Sequence, residues 1–240
     1  MTIADIETLT RFLTKTNTTS LTAANLLILE NKYYEEITGR IITETAGMGD
    51  WGDLNYTAFP TFTMTMTNST AEYDLNAIST TPLAILGVEV LDEDGIWHPL
   101  RRITLDEIRK KGYAQVEYQK TDGQPNEYEI RDSQIVLYPA PDNGVTVTLT
   151  AGLKIFYLRT ADVFTSAQVT TGTKTPGFPS PWHDMLSYGP AFDYALTNGL
   201  PNALLFKAEY DKRMTELLKF ISKRDRDTSR VMTPEPINFT

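Results

Sequence analysis

Apolar residues recur every three or four positions in the first part of the chain. One such stripe begins at Ile6, and a second, longer stripe covers residues 26–41. Thr2 and Asp5 precede the first stripe with the three-residue spacing of a capping box, in which each side chain bonds the backbone N–H of the other residue. This pattern predicts two N-terminal helices, the second of which ends near Gly47.

The hydrophobic pattern changes to a period of two at about residue 60. Met64 and Met66 alternate with threonines, which is typical of a strand with one buried face. The dipeptide Asp94-Gly95 separates two apolar runs and is a strong signal for a hairpin turn. With the other alternating runs, this predicts strands at 60–67, 83–91, 96–98, 113–119, 128–130, 134–138 and 145–157, and a short helix at 104–111.

The last third of the chain begins with a stretch rich in glycine and proline. Residues 161–181 therefore predict a loop without a sustained helix. Helical spacing returns at Met185, and Pro190 inside this stripe predicts a kink or a break. A final stripe over 203–221 predicts the clearest amphipathic helix, and the polar chain after residue 224 is typical of an extended tail.

These elements predict an α+β fold with a central antiparallel β domain that is either a sandwich or a small barrel. A helical pair precedes this domain, and a second helical pair and a tail follow it. The expected segments are N-terminal helices at 1–58, a β domain at 59–160, a loop at 161–181, C-terminal helices at 182–223 and an extended docking tail at 224–240.

Composition excludes several classes of chemistry. The chain has 240 residues with no cysteine and only two histidines, so thiol catalysis, disulfides and cysteine-ligated metals are ruled out. Asp and Glu number 31 against 22 Lys and Arg, and the net charge of -9 disfavours ordinary nucleic-acid binding. With no leader or spanning run recognisable, the sequence predicts a soluble protein of a reducing cytoplasm or an assembled particle.

The few candidate catalytic or metal-binding residues favour structural roles. His98 lies in the predicted hairpin and is expected to be a structural or exposed histidine. His183 lies at the start of a helix and is expected to be a capping or packing residue. The acidic run at 92–95 lacks the spacing of a calcium loop and is better explained by the hairpin turn. Asp50 and Asp53 are expected in a solvated loop. The sequence predicts no catalytic site, no cofactor and no metal.

A run of basic residues lies where the last helix is expected to end. Lys219, Lys223, Arg224, Arg226 and Arg230 are interleaved with two aspartates. One interpretation is a solvated helix end, where cations interact favourably with the helix dipole. The other is a docking segment for an acidic partner.

A series of short stretches runs in a characteristic order between residues 25 and 227. The stretches include GDWGDLNYTAFP at 49–60, VEVLDEDGIWHPL at 88–100, IVLYPAP at 135–141 and WHDMLSYG at 182–189, with shorter ones at 39–40, 71–75, 123–125 and 176–179. In this order they resemble the head-to-tail connector (adaptor) proteins of tailed bacteriophages. The chain departs from the resemblance at Gly189-Pro190, where an unbroken helix is expected.

The resemblance implies a structural virion protein without enzymatic activity. Such adaptors form a ring of about twelve copies beneath the portal at the neck of the virion, after assembly in the host cytoplasm. Their partners are the portal protein, the next neck or tail protein and further copies of themselves. DNA passes through the ring without sequence-specific binding. No membrane partner is expected. The corresponding partner-binding residues here are Lys223, Arg224, Arg226, Arg230, Val231, Met232, Ile237 and Phe239.

Two other functions stay open at the level of sequence. A carbohydrate-binding β module of a tail or a secreted assembly would use Trp51, Trp97 and Trp182 as stacking residues. A hydrolase would use Asp50, Asp53 or Glu93, although no partner constellation for them is recognisable.

Overall fold

The computed structural model describes residues 1–44, 53–56, 60–78, 82–110 and 122–228. The chain divides into two compact units, a helical unit made of residues 1–57 and 161–240 and a β unit made of residues 58–160. The described helices are α1 (Ile3–Thr14), α2 (Ala23–Glu44), α3 (Leu105–Lys110), α4 (Ser166–Thr171), α5 (Met185–Thr197) and α6 (Ala203–Thr228). The described strands are β1 (Thr61–Met64), β2 (Glu72–Asp74), β3 (Ala84–Leu91), β4 (Trp97–Pro99), β5 (Arg101–Arg102), β6 (Glu127–Arg131), β7 (Gln134–Tyr138) and β8 (Leu153–Leu158).

The N-terminal helices begin where their capping residues predict. The Thr2 N–H donates to Asp5 Oδ2 at 2.8 Å, and the Asp5 N–H donates to Thr2 Oγ1 at 3.3 Å, so the predicted capping box is confirmed. Helix α2 starts directly after Thr22, whose hydroxyl accepts the N–H of Asn25. The described part of α2 ends at Glu44, and Gly47 lies outside the described residues.

Helix α5 lies at the centre of the helical unit and packs against α1, α2 and α6. Gly189 permits the close approach of α2, because a Cβ at this position would lie 2.5 Å from Cγ of Tyr33. The predicted break at Pro190 is wrong, since α5 is one helix from Met185 to Thr197. Pro190 removes one backbone donor, but Gly189, Pro190 and Ala191 are all buried, and this packing holds the helix together.

The described residues of the β unit form two four-stranded sheets, with strand orders β1-β8-β3-β4 and β2-β7-β6-β5. Among these strands every pair is antiparallel except β5 with β6, which is a short parallel pair. Val88, Val90 and Ile155 from the first sheet share a core with Ile135 and Leu137 from the second. The unit is therefore two sheets around a common core, and the alternative of a small barrel is wrong.

The predicted long strand at 145–157 is wrong in its first half. Val147 forms an isolated bridge with Asp92, and the regular strand begins only at Leu153. The chain turns tightly in between, because a Cβ on Gly152 would lie 1.7 Å from the carbonyl oxygen of Thr148. Ala151 has a positive φ of 51°, which is a turn conformation and not a strand conformation.

Other predicted elements differ from the structure at their boundaries. The loop at 161–181 contains α4, whose Thr165 and Gln168 form a second capping box that the prediction missed. Helix α6 continues to Thr228, five residues beyond the expected helix end at 223, so 224–228 are helical and not extended. The predicted strand at 113–119 lies outside the described residues. The hairpin at Asp94-Gly95 is present, with Val90 opposite His98.

Candidate interaction surface

Asp53 is buried within the helical unit, so the expectation of a solvated loop at this residue is wrong. Its Oδ2 accepts a hydrogen bond from the Tyr34 hydroxyl at 2.5 Å and from the Asp162 N–H at 2.9 Å. Its Oδ1 accepts the N–H of Asn55 at 2.9 Å. These bonds join α2 to two segments that are distant from it in sequence, and they satisfy a buried carboxylate without a cation. Asp50 lies outside the described residues.

Gly177 completes this buried network. Its N–H donates to the Tyr34 hydroxyl oxygen at 2.6 Å, and a Cβ here would lie 1.5 Å from Asp53 Oδ1. Burial and then the neighbouring Asp53 charge raise the pKa of Tyr34 well above its usual range, so this hydroxyl stays protonated and donates. The network therefore fixes the fold of the unit and leaves no reactive group open to solvent.

His183 is a buried packing residue, as the sequence predicts. Its Nε2 lies 2.7 Å from the carbonyl oxygen of Phe178, and its ring lies edge-on to the Phe178 ring. Burial is the main cause that lowers the pKa of His183, so the ring is neutral near pH 7 and Nε2–H donates to this carbonyl. A side chain held in this way has a structural role.

His98 belongs to the hairpin of β3 and β4. Its Nε2 lies 2.7 Å from Asp92 Oδ2, and the other oxygen of Asp92 accepts the N–H of Ile96 at 2.8 Å. Asp92 thus closes the turn and lies beside His98, which supports the structural interpretation of both. Within the described ranges, no group of three or more His, Asp or Glu side chains could hold a metal ion.

The two tryptophans that the structure describes lie in different units. The ammonium of Lys154 lies 3.6 Å from the ring centroid of Trp97, in a cation–π contact. The Trp182 ring packs against Phe220 with centroids 4.9 Å apart. Each ring thus has a partner within the chain, and the described tryptophans do not form one stacking platform. Trp51 lies outside the described residues.

Exposed leucines gather at the turn that joins α5 to α6. Leu204 is 75% exposed and Leu205 is 67% exposed, while Leu196 and Leu200 in the same turn region are also exposed. The buried stripe of α6 contains Ala203, Phe206, Tyr210, Met214, Leu217 and Ile221. Because Leu204 and Leu205 fall between members of this stripe, they face away from the core. The spacing of the two leucines already differs from that of the buried stripe in the sequence, so their exposure could have been predicted. The sequence analysis missed it.

An open groove lies between the start of α2 and the end of α5, and its lining includes Thr197 and Asn198 from the same turn region as the exposed leucines. Its cavity volume is about 380 Å³, and its apolar lining includes Ile28, Leu29 and Tyr194. Ile28 is 67% exposed. The only acidic side chain among the described lining residues is Asp193, which is paired with Lys32 at 2.6 Å. Exposed leucines and an apolar groove in one unit are typical of an interaction surface and not of an active site.

The predicted partner-binding residues begin near the C-terminal end of α6. Lys219 and Lys223 are exposed on this helix. Arg224 and Arg226 lie in its last turns, where basic residues are favourable for the helix dipole. Arg230, Val231, Met232, Ile237 and Phe239 lie outside the described residues, so the predicted docking role of the set stays a prediction.

Comparison with known proteins identifies one family. The family model described as SU10 adaptor protein matches residues 1–235, which is nearly the whole chain. No curated protein matches the sequence. Within the part of the chain that the structure describes, no helix is long and apolar enough to cross a membrane.

Proposed function

The chain belongs to the SU10 adaptor protein family, and from this premise we propose that it is a head-to-tail adaptor that forms a ring beneath the portal of a bacteriophage. The match over residues 1–235 is the observation that carries this proposal, because it covers both units. The protein is a structural component of the virion, located at the neck, and it is assembled in the host cytoplasm. It acts by shape and contact, not by catalysis.

Three contacts follow from this role. One face of the ring meets the portal, the opposite face meets the next neck or tail protein, and the sides of each copy meet its neighbours in a ring of about twelve copies. The exposed leucines and the apolar groove of the helical unit support such contacts, because large exposed apolar patches are unusual on a protein that works alone.

DNA passes through the ring without being bound by its sequence. The net charge of -9 supports this part of the proposal. A strongly basic passage would attract the phosphate backbone and release counterions on binding, which would hold DNA in place. An acidic chain has the opposite effect and lets DNA slide.

The segment after α6 docks on the portal. Helix α6 has 26 residues, so it spans about 39 Å and carries the following segment well away from its own start. This segment combines basic residues with Val231, Met232, Ile237 and Phe239 in a proline-containing stretch. This composition offers both charged and apolar contacts to a partner surface.

Deletion of residues 229–240 tests the docking role while it leaves the whole of α6 in place. We expect the truncated protein to keep its helical content and thermal stability but to lose its attachment to portal rings, as seen by co-sedimentation and negative-stain electron microscopy. Replacement of Val231, Met232, Ile237 and Phe239 by serine should have the same effect. A control that replaces Thr233, Thr240 and Asn238 by serine should attach normally. Normal attachment of the truncated protein would show that the docking site lies elsewhere.

A further inference from the structure

We infer that Asn143 is a site of spontaneous chemical modification, where the side-chain amide is lost as ammonia and an aspartate or isoaspartate takes its place. The chain contains two Asn-Gly dipeptides, Asn143-Gly144 and Asn198-Gly199. The first lies in the β unit between β7 and β8, and the second lies at the turn that joins α5 to α6. The fold leaves the first dipeptide reactive and protects the second, whether or not the protein forms a ring.

The reaction uses only the dipeptide and water. The main-chain nitrogen of Gly144 gives up its proton and bonds to Cγ of Asn143, while the bond from Cγ to Nδ2 breaks and Nδ2 leaves as ammonia with that proton. Water then opens the cyclic imide. Cleavage of its C–N bond at Cγ gives aspartate, and cleavage at the main-chain carbonyl gives isoaspartate. Glycine favours the first step, because it has no Cβ to obstruct the approach of the two groups.

The Asn143 side chain is free to reach the geometry of the first step. Asn143, Gly144 and Val145 are all exposed, and the Asn143 side chain makes no hydrogen bond with any residue that the structure describes. The Gly144 N–H donates to the Asp142 carbonyl oxygen at 2.8 Å, which is a bond within a three-residue turn. Opening of this one local bond frees the nitrogen without disturbing a helix or a strand.

Asn198 is followed by the same residue but is held at the end of α5. Its Nδ2 donates to the Tyr194 carbonyl oxygen at 2.8 Å, and its main-chain N–H donates to the same oxygen at 3.1 Å. The Gly199 N–H donates to the Leu196 carbonyl oxygen at 3.3 Å. Attack on Cγ of Asn198 therefore requires both the side-chain bond and the cap of the helix to open together.

Modification at Asn143 changes the charge and the path of the chain. Each converted copy gains a negative charge next to Asp142. The Asp142 carboxylate accepts the Val145 N–H at 3.0 Å and the Thr146 N–H at 3.0 Å, so it closes the loop around the modified residue. Isoaspartate adds one carbon atom to the main chain inside this loop, and we expect these two hydrogen bonds to weaken.

Storage of the full-length protein in warm, mildly alkaline buffer tests the difference between the two sites. Trypsin releases Asn143 in the fragment 132–154 and Asn198 in the fragment 175–207, and fragmentation in a mass spectrometer locates the replacement of NH2 by OH. We expect conversion at Asn143 to be faster by at least about tenfold, which corresponds to about 1.4 kcal/mol in the activation barrier. Asn143→Gln keeps an amide but cannot form the five-membered imide, so its fragment should stay unconverted over the same time.

The same measurement in urea separates the reactivity of the dipeptides from their protection by the fold. Both dipeptides are exposed in the unfolded chain, so their rates of conversion should become similar. Equal rates at the two sites in the folded protein would overturn the inference. Conversion of Asn143 that occurs only in urea would overturn it too, because the fold would then protect both sites.

Hydrogen exchange tests the expected change in the loop. The N–H groups of Val145 and Thr146 should exchange faster in the isoaspartate form than in Asn143→Asp, which carries the added charge without the longer main chain. Equal exchange in the two forms would contradict the expected weakening of the bonds to Asp142.

Discussion

Glu30 in the helical unit and Glu129 in the β unit are both buried acidic residues, but their surroundings are opposite. In the helical unit, Glu30 is fully buried, and neither of its carboxyl oxygens has a hydrogen-bond partner among the residues that the structure describes. In the β unit, the carboxylate of Glu129 accepts hydrogen bonds from Arg131 at 2.8 Å and from the Tyr138 hydroxyl at 2.9 Å. Glu127 likewise pairs with Arg101 at 2.9 Å.

This difference shows that burial of an acid is compatible with either protonation or pairing. Loss of solvation, followed by the nearby Glu7 charge, raises the pKa of Glu30 to about 9, so Glu30 is uncharged at neutral pH. Glu129 is instead paired with a guanidinium and a hydroxyl. The stability of the helical unit, which contains Glu30, should therefore respond to a rise in pH.

The largest expected effect is this pH response. The folded state holds a proton on Glu30 up to about pH 9, whereas the unfolded chain releases it near pH 4.5. Above the unfolded value the folded state binds more protons, so stability is full at low pH and falls as pH rises, by up to about 1.4 kcal/mol per pH unit. Urea unfolding at pH 5 to 8, followed by circular dichroism, should show this fall.

Substitution by glutamine isolates the contribution of Glu30. Glu30→Gln cannot ionise, so the free energy of unfolding of this variant should change much less between pH 5 and pH 8. Glu129→Gln, in the β unit, should leave the slope of the helical transition unchanged. An equal pH slope in Glu30→Gln and in the unmodified protein would show that another group causes the response.

The next effect concerns the close contact of α2 with α5. Gly189→Ala places a methyl group 2.5–2.7 Å from the Tyr33 ring atoms, so we expect a loss of about 3 kcal/mol in the stability of the helical unit. Gly39→Ala in α2 is the matched control, because nothing lies within 4 Å of its added methyl group. That control should gain roughly 0.5–1 kcal/mol from its better helix propensity. Thermal unfolding of both variants measures the expected loss of stability in Gly189→Ala and the expected gain in Gly39→Ala.

A smaller effect is expected from the paired acid of the β unit. Tyr138→Phe removes the hydroxyl that donates to Glu129 and accepts from Arg131, which should cost about 1–2 kcal/mol. Tyr157→Phe, also in the β unit, is the control, because the Tyr157 hydroxyl makes no hydrogen bond with any described residue. Fluorescence of Trp97 can follow the unfolding of this unit. Equal losses in the two variants would mean that the Glu129 network contributes nothing.

The smallest effect on stability is expected at the exposed leucines of α6, Leu204 and Leu205. Leu205→Gln changes a side chain that is already 67% exposed. The free energy of unfolding, obtained from thermal unfolding, should therefore change by no more than about 0.5 kcal/mol. Leu217→Ala on the buried face of the same helix should cost roughly 2–5 kcal/mol. A large loss in Leu205→Gln would mean that Leu205 supports the fold and would weaken its assignment to an interaction surface.

The sequence predicts features that depend on neighbours along the chain. The capping box at Thr2, the stripe of α6 and the turn at Gly95 are all local patterns, and each is present in the structure. Features that depend on a distant partner were missed. The contact of Gly189 with Tyr33 joins residues far apart in sequence, and Asp53 is buried because α2 and the segment around Gly177 cover it.

The candidate surfaces show the same difference between local features, which the sequence reveals, and features that depend on distant residues, which it does not. The two exposed leucines of α6 were visible in the sequence as apolar residues outside the buried stripe, so their exposure could have been predicted. The groove between α2 and α5 could not, because it exists only where these two helices lie side by side. Glu30 also fits the apolar stripe of α2 by its spacing, but only the packed structure shows that its carboxyl oxygens have no hydrogen-bond partner among the described residues.

The helical unit is discontinuous, since the β unit is inserted between its two halves. During synthesis on the ribosome the β unit is therefore whole and free to fold while α5 and α6 are still untranslated. Helices α1 and α2 cannot complete their packing until α5 and α6 have been synthesised. Until then, the apolar faces that α1 and α2 bury in the folded protein are exposed. Because α5 and α6 lie in the last third of the chain, the core of the helical unit and the exposed leucines of α6 take their places only when synthesis is nearly complete.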